Sequence, residues 1–382
     1  MKVKINALIL GLTLAYAGIA SGVDQNKIKK SEAEKVKINN GSKKNDAIKS
    51  WQTFFQPPPD TKTRNVLAKK LKEWDGSKDL NKLLNRARNL FTLGKFVDSE
   101  ATYQEILRIN PKHLDALLET GKLYIKKREL ERTFDYLDQV YTIINKTDDT
   151  PKIFLIRYKY ILALGLLARN ENKKAHKILS NLVIADKNFT PAYSALAESY
   201  LRSEQLDAAE FITNRGIDRS DANSPELLNI LGVIAQKRQY YQKARTYFNK
   251  ALKVSPTYSP SLINRANQSI IKHEFQAAEN DILKALLYQP DSIEAWVSLG
   301  ILQKKTGRFD AAKSSFTKAI NLNPESAFAR YNLAVIMSDQ FKRPNEALRL
   351  FHEVIQSRDF NTKLKNLAKI HIEGLRKHQL NQ

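Results

Sequence analysis

The chain has 382 residues, enough for two or three ordinary domains or for one elongated array. It carries 63 Lys and Arg against 40 Asp and Glu, a formal charge of +23, and it has no cysteine. That excludes disulfide scaffolds, thiolate zinc sites, cysteine nucleophiles and lipidation at an N-terminal cysteine. Hydrophobic residues make up 42%, sufficient for a core, while 13 Gly and 12 Pro are too few for an all-β domain of tight turns.

In chain order, the basic start Met1 to Lys4 precedes an apolar run from Ala7 to Ala20 (ALILGLTLAYAGIA). The run has the length of a secretory core and is short of a bilayer span. Small residues at Gly18 and Ala20, or at Ala20 and Gly22, suit a signal peptidase. The pattern predicts a signal peptide over 1–22 and a periplasmic or secreted mature chain. The alternative is an uncleaved N-terminal anchor in the inner membrane. Residues 23–62 then read as a disordered basic linker, lysine-rich over 27–49 and too polar to offset its ordering entropy. Trp51, Phe54 and Phe55 interrupt it, and Pro57 to Pro59 form a stiff spacer. The aromatic cluster either packs on the first ordered helices or serves as a docking peptide, for a partner or for this chain's own groove. A short amphipathic helix is expected within 63–79, from Arg64 to Trp74, closed at Gly76.

A repeat dominates the remainder. Pro256, Pro290 and Pro324 fall 34 residues apart, and the register they set extends in both directions. Eight units result: 80–113, 114–147, 156–189, 190–223, 225–258, 259–292, 293–326 and 327–361. Each shows two blocks of apolar residues at helical spacing. The eighth place is always small (Ala87, Gly121, Ala163, Ala197, Gly232, Ala266, Gly300, Ala334). So is a place on the second helix (Ser99, Thr133, Ala175, Ala209, Ala244, Ala278, Ala312, Ala347). Two helices cross closely only where neither carries a bulky side chain, so both columns are packing requirements. Tyr103, Leu137, Leu179, Phe248, Ile282, Phe316 and Phe351 supply the larger core residues between them. Thr190, Ser224 and Ser259 each precede a proline and are expected as helix caps. Gly94 and Gly307 sit between paired helices. Thr150 and Pro151, at the end of an insertion over 148–155, are expected to cap a first helix about two turns longer than its neighbours. Residues 362–382 read as a C-terminal capping helix with a polar outer face.

This pattern resembles the tetratricopeptide repeat family. The best match is Trp296, Leu299 and Gly300 with Ala312, Phe316, Ala319 and Pro324, followed by Leu228, Gly232, Ala244, Phe248, Ala251 and Pro256. In other units Ala278 and Pro290 keep the pattern, and it is weakest over 156–189, where Lys159 takes the tryptophan place. The resemblance implies an all-α solenoid, a right-handed superhelix whose first helices line a concave groove for a peptide or partner helix. Groove places would include Asn229, Asn264, Asn267, Asn332, Arg88, Lys122, Tyr160, Lys304 and Tyr331. Asparagine amides can bracket a peptide bond with one donor and one acceptor; the other reading is that these asparagines are merely solvated. The paired lysines and asparagines of a two-carboxylate clamp are not found in order.

These features point to a non-enzymatic scaffold of the bacterial envelope that binds a protein partner. No cofactor, metal or small-molecule substrate is expected. None of the six histidines lies in an HExxH pattern, no GxSxG or GxxxxGK[ST] occurs, and His371 and His378 read as surface residues. The alternative is a polyanion-binding protein, for an anionic glycan, lipid headgroups or nucleic acid, with contact through residues 27–49. Its charge is uneven: the 225–258 unit has six Lys and Arg against one acid, but the 190–223 unit has three against six.

Overall fold

A computed structural model describes residues 61–146, 151–219, 224–357 and 362–380. The expected signal peptide, the basic linker, the cluster of Trp51, Phe54 and Phe55, and Thr150 lie outside the described residues. Among those described, every regular element is a helix. Helix α1 (Thr61–Lys72) precedes the stack. The first four hairpins are α2 (Leu80–Thr92) with α3 (Phe96–Ile109), α4 (Leu114–Lys127) with α5 (Leu130–Lys146), α6 (Lys152–Ala168) with α7 (Asn172–Ala185), and α8 (Thr190–Arg202) with α9 (Leu206–Arg219). The second four are α10 (Pro225–Lys237) with α11 (Tyr241–Val254), α12 (Ser259–Ile271) with α13 (Phe275–Tyr288), α14 (Ile293–Lys305) with α15 (Phe309–Leu322), and α16 (Ala327–Asp339) with α17 (Pro344–Gln356). Helix α18 (Thr362–Leu380) closes the array and buries Leu364, Ala368 and Ile372 against it.

Both small columns are buried throughout. At Gly232 a Cβ would lie 2.3 Å from Phe248 Cε1, and at Gly300 one would lie 2.6 Å from Phe316 Cε1. The phenylalanine ring of the second helix thus occupies the space a side chain would need. Gly121 has nothing nearer than 3.7 Å, where the Thr133 carbonyl lies. The two departures from alanine on the second helix also have a cause. Ser99 Oγ donates to the Ala87 carbonyl (2.8 Å) and Thr133 Oγ1 to the Gly121 carbonyl (3.3 Å), so each hydroxyl is satisfied by the backbone it faces. Phe248, Phe316 and Phe351 are fully buried, each contributing roughly 1.5–3 kcal/mol. Trp296 Nε1 donates to the Pro290 carbonyl (2.8 Å), tying a first helix to the turn before it. Pro256, Pro290 and Pro324 lie exposed just past the ends of α11, α13 and α15.

The turn inside each hairpin repeats as well. Gly94 and Gly307 have φ near +75°, and Arg128, Asn170, Glu204, Gln239, His273 and Lys342 adopt the same left-handed backbone at the corresponding turns. A reversal this tight needs one residue at positive φ even where no glycine is available.

Several expectations are corrected. Helix α1 ends at Lys72, short of Trp74, because the Asp75 carboxylate accepts from the Ser77 N–H (2.9 Å) and turns the chain. Of the three expected caps only Ser224 acts as one, accepting from the Leu227 N–H (3.3 Å). Thr190 and Ser259 lie one residue inside their helices, which start after Phe189 and Tyr258. Asp79, His113 and Ser292 cap α2, α4 and α14 instead. Helix α6 has 17 residues against 13 in α8, about one extra turn rather than two. Pro151 is extended (ψ 133°) at its N-cap and stops the helix there.

First helices of successive units pack on one another along the stack, while each second helix packs chiefly on its own first helix and then on the first helix that follows. First helices therefore occupy the inner side of the curve. Gly232→Ala is expected to cost about 1–3 kcal/mol in urea unfolding, while Gly121→Ala is neutral or gains up to about 1 kcal/mol. Combining Gly232→Ala with Phe248→Leu should recover part of the loss if the ring contact is its cause.

Candidate functional site

The inner face is built from first helices and changes character along the stack. At the N-terminal end, α2, α4 and α6 join through a four-member charge network. Arg88 Nε and Nη2 reach Glu119 Oε1 (3.2 Å) and Asp115 Oδ1 (3.1 Å). Arg157 Nη2 donates to Glu119 Oε1 (3.0 Å), and Arg157 Nη1 also bonds Asp115. The Glu119 and Arg157 side chains are 5% and 6% exposed, so the two carboxylates and two guanidiniums depend on one another for compensation. Burial alone would raise the Asp115 pKa, but the Arg157 and Arg88 charges hold it below the ordinary carboxylate range. Lys122 lies with its Nζ 4.8 Å from the Phe91 ring centroid. Burial lowers its pKa to about 7, against the opposing pull of Glu119.

In the middle of the stack, Tyr160 packs edge-on against Phe189, ring centroids 5.3 Å apart. Burial raises its phenol, aided by the negative charges of Glu198 and Glu226. Glu198 pairs with Arg202 (2.6 Å), whose guanidinium also holds the Leu167 carbonyl (3.0 Å). Burial raises Glu226 as well, with Ser224 Oγ donating to it at 2.9 Å.

The next segment is uncharged and rich in amides. Asn229 Oδ1 accepts from Ser261 Oγ (2.9 Å) and Asn264 Nδ2 (3.0 Å), which links α10 to α12. Gln268 Nε2 donates to Gln236 Oε1 (3.3 Å) across the same interface. Asn229, Asn264, Asn267 and Asn332 are 9%, 2%, 3% and 5% exposed, so the solvated reading of these asparagines fails. The Asn267 Oδ1 atom is buried with no hydrogen-bond partner among the described residues. Further on, Lys304 Nζ donates to Asn332 Oδ1 (3.0 Å), and burial lowers this lysine to about 8. Tyr331 is buried edge-on to Phe351 and to His371 of α18.

His371 corrects a surface assignment. Its ring stacks on Phe351 with centroids 5.0 Å apart, and burial lowers its pKa. The side chain of His378 lies outside the described residues. Among the described residues no group of three His, Asp or Glu is placed to hold a metal ion. No described helix is long and apolar enough to cross a membrane. Away from the inner face, a cavity of about 820 Å³ lies at the hairpin-turn edge between Tyr240, Tyr241, Lys243, Gln268 and Lys272.

Sequence reasoning places Arg88, Lys122 and the asparagines on the right helices but misses Asp115, Glu119 and Arg157. Only Glu119 carried a signal: it sits at a first-helix place where other units have Ile161, Ala195, Ile230, Asn264, Ser298 and Asn332, whereas the place of Asp115 and Arg157 is also charged at Glu226 and Glu294.

Stacked antiparallel hairpins with a shared inner face define an α-solenoid. The chain is a tetratricopeptide repeat protein: tetratricopeptide repeat family models match residues 84–146, 225–258 and 293–326. The human protein O-mannosyl-transferase TMTC1 is 23% identical over 228 residues, 58% of this chain and 24% of that protein. The Drosophila melanogaster BBSome complex member BBS4 homolog is 20% identical over 245 residues, 63% of this chain and 48% of its own length. The chain therefore spans between about a quarter and a half of these curated relatives. Among solved structures, the APC/C hetero-tetramer Cut9–Hcn1 contains a chain that superposes with a TM-score of 0.59. It is 19% identical, covering 87% of this chain and 64% of that one, and shares the fold.

The two lysines set a pH dependence. A base whose folded pKa lies below its unfolded value near 10.5 leaves the unfolded chain holding more protons. Stability is then expected to rise with pH from about 7 until tyrosines ionise near 10. In urea titrations at stepped pH, a Lys122→Met/Lys304→Met chain should show a flatter profile over that window.

Proposed function

We propose that the chain is a non-catalytic scaffold that holds an extended peptide or partner helix on its concave face, acting in the bacterial envelope after export. The observation that carries this reading is the fixed amide array of α10 and α12. The Asn264–Asn229 bond uses one polar atom of each amide. Each amide's other atom is suited to the carbonyl or N–H of a bound backbone. Glu198 and Glu226 on the unit-four side of the array and Lys304 on the unit-seven side favour a partner with basic groups toward the former and acidic groups toward the latter. The apolar run at residues 7–20 supports export.

The test is affinity capture from a periplasmic extract, with Asn264→Ala/Asn267→Ala compared against the unaltered chain after both give the same helical circular dichroism. A discrete partner recovered by the unaltered chain and lost with the variant is the expected outcome. Equal recovery by both would remove the concave face from the reading.

The +23 charge favours a second reading, binding of a polyanion through the lysine-rich segment 27–49. It predicts affinity for heparin or single-stranded DNA that falls steeply with salt on a log–log plot. Salt-insensitive binding, or none, counts against it.

A further inference from the structure

We propose that residues 51–59 of this chain dock on its own concave face over units five to seven, where an incoming partner must displace them. The proposal rests on the reading of that face as the binding face. It starts from the position of α1. This helix follows the linker and precedes unit one, yet Arg64 Nη1 donates to the Tyr288 carbonyl at 2.6 Å, 224 residues away. Tyr288 is the last residue of α13, in unit six. The superhelix therefore returns unit six to the start of the array, and Thr61 is held beside the junction of units six and seven.

Reach follows from chain geometry. Three consecutive prolines at 57–59 favour by composition an extended run of about 3 Å per residue. The ten residues from Trp51 to α1 span at most about 35 Å. First helices pack roughly 8–10 Å apart, so three successive units lie within that radius.

Chemistry agrees with reach. The segment Trp51 to Pro59 has no charged residue, in contrast to the lysine-rich stretch upstream. The concave places Asn229, Val233, Asn264, Asn267, Val297 and Ile301 are likewise uncharged amide or aliphatic groups, bounded by Glu226 near the start of α10 and Lys304 near the end of α14. Aromatic side chains gain most from an aliphatic surface. A tethered segment also acts at high effective concentration, so weak contacts suffice to occupy the face.

The experiment uses the full chain with Trp51→Ala, Phe54→Ala and Phe55→Ala together, changes that lie outside every described helix. Hydrogen–deuterium exchange is followed in α10, α12 and α14, with and without a synthetic peptide of residues 50–60. Several-fold faster exchange in the variant, reversed by the peptide, is the expected result. Binding of the labelled peptide to the variant, read by fluorescence anisotropy, should weaken several-fold on adding Asn267→Leu. Unchanged exchange, or faster exchange that the peptide does not reverse, would overturn the proposal. No external partner enters these measurements, so their failure is distinct from a failure to capture one.

Discussion

The close crossing of two helices within each hairpin is the constraint on which the molecule depends. It is met in two ways that are chemically different. Where the second helix supplies phenylalanine, as at Phe248 and Phe316, the first helix supplies glycine and the ring lies over its backbone. Where the partner is smaller, alanine suffices, as for Ala266 opposite Ile282. Phe351 is paired with Ala334, and this unit is the one whose hairpin turn is a residue longer. The pairing is not a fixed sum of volumes, since Tyr103 shares its unit with Ala87 and Leu137 with Gly121, so each close-packed crossing is filled by its own local adjustment.

Once hairpins stack this way, the first helices are crowded on the inner side, and polar residues placed there must find partners in the neighbouring unit. That is why Arg88, Glu119 and Arg157 join three units, and why Asn229 is shared by two donors from α12. A binding face assembled from such groups is pre-organised: its amides and charges are oriented by the stack before any partner arrives. The same packing makes Lys122 and Lys304 the sensitive members of the face, because burial disfavours the charged form of each ammonium.

How much of this is readable in the residues depends on whether the cause is periodic. The small columns recur in every unit and the prolines after α11, α13 and α15 recur at a fixed spacing, so the period and the helical hairpins it implies are legible. Features set by a single local geometry were not readable. Thr190 and Ser259 have the residue type of caps, but the chain enters those helices one residue earlier, so the hydroxyls fall inside. The left-handed turns escaped notice because six of the eight use ordinary side chains in place of glycine. Arg157 resembles a solvated charge until α2 and α4 bring two acids to it, and His371 until α18 folds back over Phe351. At the concave face, residue type identified the asparagines, but only the stack shows that they bond to each other.

A linear array gains its stability from nearest neighbours, and most contacts here obey that rule. The Arg64–Tyr288 bond is an exception, and its energetics are unusual. A contact across 224 residues would ordinarily bear a large loop-closure cost. Here that cost is already met by the curvature of the stack, which is set by seven local interfaces between units one and eight. The bond then needs to offset only the ordering of one arginine side chain, within the range of about 1.5–3 kcal/mol for a charge-assisted hydrogen bond. Its strength is accordingly tied to superhelical pitch: any partner that opens or tightens the coil moves Tyr288 relative to Arg64. If the concave face binds a partner as proposed, any change of pitch on binding would reach this contact through the shape of the array, with no separate relay.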